Sequence, residues 1–374
     1  MAAGPPSSAG AGVTQDAPAP RTPSLRPGGA AAWLRVPRFS AIWVATALLF
    51  AISPLLAHGS VSHSALLSMA PFAAILAVAA IGQTLVVQQR GLDLSVPGVI
   101  TLATIIVTKY CDGHDGRLPL AIGLVALASI AAGVVSGIAI TWFGITPLVA
   151  TLGVNALLQG VVFQITSGSS TAAAPPALAR FALEKTLSVP NTVVIAVIGV
   201  IVTALVLRTT IAGRRYVATG ASPAAARAGG IRVRRYELAT YVLAALFYGA
   251  AGILVAGFLG TPGIGAGDGY LLPTIAAVVL GGTSLAGGVG SVVATAGGAL
   301  FLTQLQQVVL GMGAPSSLQF VIQGSIIAVG MGLRNLPWDR VRELVTRHAA
   351  GGGGQPAALA AETRSADLRD TVER

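Results

Sequence analysis

From Gly269 to Leu333 the chain carries no charged residue at all. A run of that length with no ionic side chain is ill-suited to face water. The rest of the sequence is little different: Asp, Glu, Lys and Arg make up 10% of 374 residues and hydrophobic residues 54%, with a mean hydropathy of +0.78. A soluble domain usually carries about 25% charged residues. The chain therefore reads as an integral membrane protein. Its apolar runs are continuous rather than alternating, so the expected fold class is all-α and polytopic, not a β-barrel.

Ten apolar segments lie near 41–57, 66–89, 94–109, 118–141, 146–167, 190–209, 236–259, 270–282, 286–310 and 315–333. A span needs about 20 apolar residues. The third and eighth are short and fit broken or re-entrant helices, which survive at membrane depth only when buried in protein. The expectation is about ten transmembrane helices over 39–335, some short or broken. Residues 1–38, rich in Ala, Pro, Gly and Ser, read as a disordered tail rather than the n-region of a cleaved signal peptide. Residues 336–374 read as a second, mostly disordered tail. Small residues crowd segments such as VVATAGGALF (292–301) and YGAAGILVAG (248–257), which lets helices approach closely in lipid.

Orientation follows from Lys and Arg. The segment 208–235 carries seven arginines, and both tails and Arg90 fall on the same side as it. Lys109, Arg117, Arg180 and Lys185 fall on the other. Positive loops stay inside, so both termini and 208–235 are expected to be cytoplasmic. The net charge of +10 has the same explanation. No basic stretch is interleaved with aromatics, and nucleic acid is not an expected partner. Cys111 is the single cysteine and the four histidines are scattered, so neither a disulfide nor a metal site is expected.

Two stretches interrupt the apolar pattern. The first is VVQQRGLDLSVPGVITLAT, where Arg90, Gly91 and Asp93 sit between two spans and Pro97 opens the next. Either this is a turn whose charges face water, or it is a break inside the bundle that lines a solute path. An isolated charge at membrane depth costs about 2.5–3.5 kcal/mol or more. A buried Asp93 must then pair, and Arg90 is the local candidate. The second stretch is GGTSLAGG, 281–288. GLDLS (91–95) and GTSLA (282–286) occupy similar places, and paired interruptions in two halves of a transporter point to a site near the midplane. On that reading the path residues are Gln83, Asp93, Ser95, Asn155, Gln159, Thr283 and Ser284. Polar side chains within the spans, which also include Thr84, Gln164, Gln304, Gln306 and Gln307, serve equally as hydrogen-bonding glue between helices. Neither GGTSLAGG nor GIGAGDG (263–269) follows a strand or leads to the Lys of a GxxxxGK[ST] loop, so both are rejected as nucleotide motifs.

The segment RTTIAGRRYVATGASPAAARAGGIRVRRYELA (208–239) reads as a loop holding one short helix. Ser222 is its N-cap, Pro223 sits in its first turn, and Gly229–Gly230 ends it. Such a helix suits docking to another protein, or lies on anionic lipid.

Here a resemblance becomes specific. RRYVATGASPAAARAGGIRV is similar to the ATPase-contacting loop of ribose-type sugar permeases of bacterial ABC importers, a superfamily shared with branched-chain amino acid permeases. Gly220, Ala225, Ala226, Gly230 and Ile231 match, and Ala221 stands where Asn is usual. GLDLS, AAVVLGGTSLAGG (276–288) and TPLVATLGVNALLQGVVFQITSG (146–168) resemble further stretches of that family, in the same order over about 40–335. Pro97 departs from a frequent Gly. The resemblance implies the membrane-spanning subunit of an importer in a bacterial inner membrane, not an enzyme. The implied coupling residues are Gly220, Ala221, Ala224, Ala225, Ala226, Gly229, Gly230 and Ile231. The implied partners are a second permease copy or paralogue, ABC ATPase subunits, a periplasmic solute-binding protein and membrane lipid. No cofactor is expected in this chain, since ATP would be used by the partner. A path poor in charge suits a monosaccharide. A nucleoside or branched-chain amino acid permease, or an ion-coupled secondary transporter, remains the alternative.

Overall fold

A computed structural model describes residues 39–169 and 172–313, with scattered positions between 315 and 328. The two expected tails and most of the 315–333 segment lie outside the described residues.

Twelve α-helices run from Ala41 to Gly311: α1 (Ala41–Leu56), α2 (His63–Gln88), α3 (Val96–Cys111), α4 (Leu118–Thr141), α5 (Pro147–Thr166), α6 (Pro176–Leu183), α7 (Asn191–Thr209), α8 (Ile211–Ala221), α9 (Pro223–Ala228), α10 (Val233–Leu259), α11 (Leu271–Leu280) and α12 (Val292–Gly311). One small antiparallel hairpin, β1 (Lys185–Thr186) with β2 (Val189–Pro190), leads into α7. The chain is a multi-pass all-α membrane protein. Among the described residues α2, α4, α5, α7, α10 and α12 are long and apolar enough to cross a bilayer. At 1.5 Å per residue, the 16 residues of α3 and the 10 of α11 reach about 24 and 15 Å, less than a hydrocarbon core of about 30 Å. Both were expected to be short.

The centre is α2. From Ala73 to Gln88 every residue is buried, and α7, α10, α11 and α12 pack around it. α10 also runs along α3 and α4, while α5 covers α3 and α1 lies against α12. A helix buried all round has no polar face to show. α7, at the edge, exposes Val197, Ile198, Ile201, Val202 and Leu205, a surface suited to lipid tails. The α4–α10 contact depends on small residues. A Cβ placed on Gly133 would stand 2.6 Å from Val242 Cα, and one on Gly249 would run into Ser129 Oγ. No larger residue permits that backbone approach.

Several features differ from the sequence expectation. The 208–235 segment holds two helices rather than one, because Thr210 Oγ1 accepts from Gly213 N at 2.9 Å and starts α8. The ninth segment begins as a helix at Val292, not 286, because Gly287 and Gly288 take positive φ values of 82° and 73°. Ser291 then caps the helix through Ala294 N at 3.3 Å. α6 and the 185–190 hairpin were not anticipated, since neither is long or apolar enough to stand out.

Candidate functional site

The first break follows α2. Gln89 closes the helix, Arg90 takes a left-handed φ of 67°, and the chain then runs without regular structure to Ser95. A non-glycine residue in that region costs about 1–2 kcal/mol and persists only when its surroundings hold it. Asp93 is 1% exposed, so the water-facing turn is excluded for its carboxylate. The expected Arg90–Asp93 pairing is also overturned. Asp93 Oδ1 accepts from Ser95 N at 2.8 Å and from Ser95 Oγ at 2.6 Å. Arg90 turns the other way, donating through Nε to Gly220 O at 2.9 Å and through Nη2 to Ala221 O. These carbonyls close α8. A guanidinium there meets both the orphan acceptors and the negative end of the helix dipole.

α3 starts inside the protein, so its first N–H groups need partners other than water. α5 supplies them. Thr151 Oγ1 accepts from Leu94 N at 2.9 Å, and Asn155 Oδ1 from Gly98 N at 2.8 Å. The two residues are four apart and share one helix face. Asn155 is thus a cap for α3. Gln159, one turn further along the same face, is half-buried.

The second break, 281–291, lies against the first. Gly288 N donates to Gln88 O at 2.9 Å, and Thr283 is fully buried while Ser284 is half-buried. Ser284 N donates across the loop to Val289 O at 2.7 Å. The likeness between GLDLS and GTSLA therefore has a spatial counterpart, in that both follow a helix end and the second break touches the end of α2 that the first break follows. α8 is bound to the same place. Tyr216 Oη donates to Leu85 O at 2.5 Å, and Gln89 Nε2 donates to Tyr216 O at 2.7 Å. Nothing in sequence spacing joins residues 85–90, 216–221 and 283–290. The only hint was an arginine left in an apolar context.

Gln83, fully buried, accepts from Tyr248 Oη at 2.9 Å. This is a helix–helix bond between α2 and α10. Thr84 Oγ1 with Thr295 Oγ1 at 2.9 Å, and Gln304 Nε2 with Ser53 Oγ at 2.9 Å, are of the same kind. The seven residues expected on a path thus divide. Asp93, Ser95 and Asn155 gather at the start of α3, Thr283 and Ser284 sit in the second break, Gln83 faces α10, and Gln159 lies on α5.

α9 forms as the sequence suggested. Ser222 Oγ accepts from Ala225 N at 3.3 Å, and Pro223 opens the helix. Its end is a Schellman motif: Gly230 has φ 76°, Gly230 N bonds Arg227 O at 3.0 Å, and Ile231 N bonds Ala226 O at 2.9 Å. Gly220 and Ala226 are buried, Ile231 is half-buried, and Ala221, Ala224, Ala225, Gly229 and Gly230 are exposed. Beside the helix lies a groove of about 630 Å³ walled by Arg215, Arg232, Arg235 and Tyr236 and floored by the Gly229–Ile231 turn.

The family model described as the permease component of the branched-chain amino acid transport system matches residues 65–330. The ribose import permease protein of Escherichia coli is 34% identical over 263 residues, 69% of this chain and 82% of that protein. The autoinducer 2 import system permease protein of Photorhabdus luminescens is 30% identical over 284 residues, 76% and 86% respectively. The galactose/methyl galactoside import permease protein of Haemophilus influenzae is 28% identical over 269 residues, 67% and 80%. No solved structure matches the chain.

Proposed function

This chain belongs to the family of permease components of the branched-chain amino acid transport system type, and from that premise we propose that it is the membrane-spanning subunit of a bacterial ABC importer for a monosaccharide. The sugar reading rests on relatives named for ribose and galactose import, and on a bundle whose interior polar groups are chiefly hydroxyls and amides. Its proposed site is the inner membrane, with 208–235 and both tails in the cytoplasm. A second permease copy or paralogue, ABC ATPase subunits and a periplasmic solute-binding protein complete the importer. ATP would be consumed by the partner and not by this chain.

The observation that carries the coupling role is the α8–α9 pair. α9 is capped at both ends, shows a face of small residues, and stands beside a groove edged by three arginines. A rigid projection of that kind transmits displacement, whereas a flexible loop absorbs it. ATP-driven closure of the ATPases would push α8 and α9. The bundle would then shift between outward-open and inward-open states according to the contacts each state makes. The proposed solute path keeps Asp93, Ser95, Asn155, Gln159, Thr283 and Ser284, which lie on α5 and in the two breaks, while Gln83, bonded to Tyr248 of α10, is reassigned to helix packing.

Deleting 217–231 tests this reading. The shortened chain should still insert in the membrane but should lose at least about tenfold of the co-purifying ATPase. Undiminished co-purification would count against it.

A further inference from the structure

We propose that Arg90 is the positioning residue through which movement of α8 reaches the two breaks. This rests on the coupling role proposed for α8–α9. Five hydrogen bonds converge on residues 85–90, the last turn of α2 and the two residues after it. Tyr216 Oη reaches Leu85 O, Gln89 Nε2 reaches Tyr216 O, and Gly288 N reaches Gln88 O. Arg90 makes the other two, to Gly220 O and Ala221 O. It is the one side chain of the set that grips the end of α8 nearest α9 with two donors in a fixed fork.

The packing leaves no slack between the three pieces. A Cβ on Gly220 would collide with Gln88 O, and one on Gly287 would collide with Arg90 Cγ. A Cβ on Gly288 would come within 2.6 Å of Ala221 Cα. The end of α8 therefore cannot move without displacing Arg90 or the 287–288 turn. Arg90 itself sits at positive φ, and the next residues are tightly held. Gly91 lies against Tyr241 Oη, and two residues on Asp93 binds Ser95 at the entry to α3. A pull on the Arg90 guanidinium thus acts on a strained joint that leads directly into α3. Without the guanidinium, α8 would remain attached through Tyr216 and Gln89, one to two turns from the α9 end. The ATPase would still dock, but the stroke would be transmitted less completely.

The test uses the complete importer, purified with its ATPase and binding protein and reconstituted in liposomes. For Arg90→Ala and Arg90→Lys one measures co-purifying ATPase, ATP hydrolysis and solute uptake. The expected result is normal ATPase co-purification, with uptake per ATP hydrolysed reduced about tenfold or more in Arg90→Ala. Lysine offers one point donor in place of the fork, so Arg90→Lys should fall between Arg90→Ala and the parent. If Arg90→Ala does not accumulate, Arg90→Lys alone decides. An unchanged ratio of uptake to hydrolysis would overturn the proposal. So would loss of ATPase co-purification in Arg90→Lys, because Arg90 would then belong to the docking surface itself. Failure of the α8–α9 coupling role is read separately, from the 217–231 deletion.

Discussion

Asp93 and Asn155 both hold the first turn of α3, yet they differ in what substitution should do. Asparagine at 93 keeps an Oδ1 that accepts from Ser95 N and Ser95 Oγ, the two bonds the aspartate makes. Asp93→Asn should therefore leave the apparent melting temperature in detergent within a few degrees of the parent. Asn155→Ala leaves Gly98 N without its acceptor in a buried turn, an omission worth about 1–3 kcal/mol. Its melting temperature should fall clearly below that of Asp93→Asn. Uptake by Asp93→Asn then separates charge from geometry. Transport at the parental rate is the outcome expected if the carboxylate serves as a cap, and a loss at unchanged stability would assign it to the solute. Both positions were visible in the sequence as polar residues among apolar ones. Their hydrogen-bond partners were not, because 57 residues separate Gly98 from Asn155 and periodicity says nothing about which helices meet.

At the scale of the element, α9 was legible almost to the residue. Its signals are local: a serine cap, a proline in the first turn and a glycine pair at the end act within a few positions of each other. Those caps are its main support, since six residues are too few for a helix to stand on propensity alone. Gly230→Ala forces a side chain into a left-handed position, and Ser222→Ala removes the bond to Ala225 N. Each should cost about 1 kcal/mol locally. The global melting temperature should barely move, while hydrogen exchange over 223–229 should quicken several-fold. α8 was less legible. Its eleven residues, IAGRRYVATGA, carry glycines and two adjacent arginines that read as loop. It is a helix because Tyr216 is buried against α2 and its ends are closed by Thr210 and Arg90. Tertiary contacts override weak propensity in this way.

For the whole molecule, the positive-inside argument predicts a sidedness that labelling can check. Cysteines placed singly at Ala224 and at Gly116 should react with a membrane-impermeant maleimide from opposite faces. Ala224 should be labelled only in inverted vesicles and Gly116 only in intact spheroplasts. Buried Cys111 serves as the silent background. Labelling of Ala224 from outside would place α8 and α9 where no ATPase could reach them, and the importer proposal would fail with it.

The sequence by itself determined the class of molecule and, over the described residues, the order of its apolar helices. Hydrophobic length and charge asymmetry are properties of contiguous residues, and the bilayer reads them directly. It also determined the ends of α9 and the shortness of α3 and α11. Only the tertiary structure decided that Arg90 binds α8 instead of Asp93, and that the two interrupted stretches meet at Gln88 and Gly288. Those contacts join residues 130 or more positions apart. They exist because a buried break must find donors and acceptors within the protein, and which side chains stand near enough is settled by packing alone.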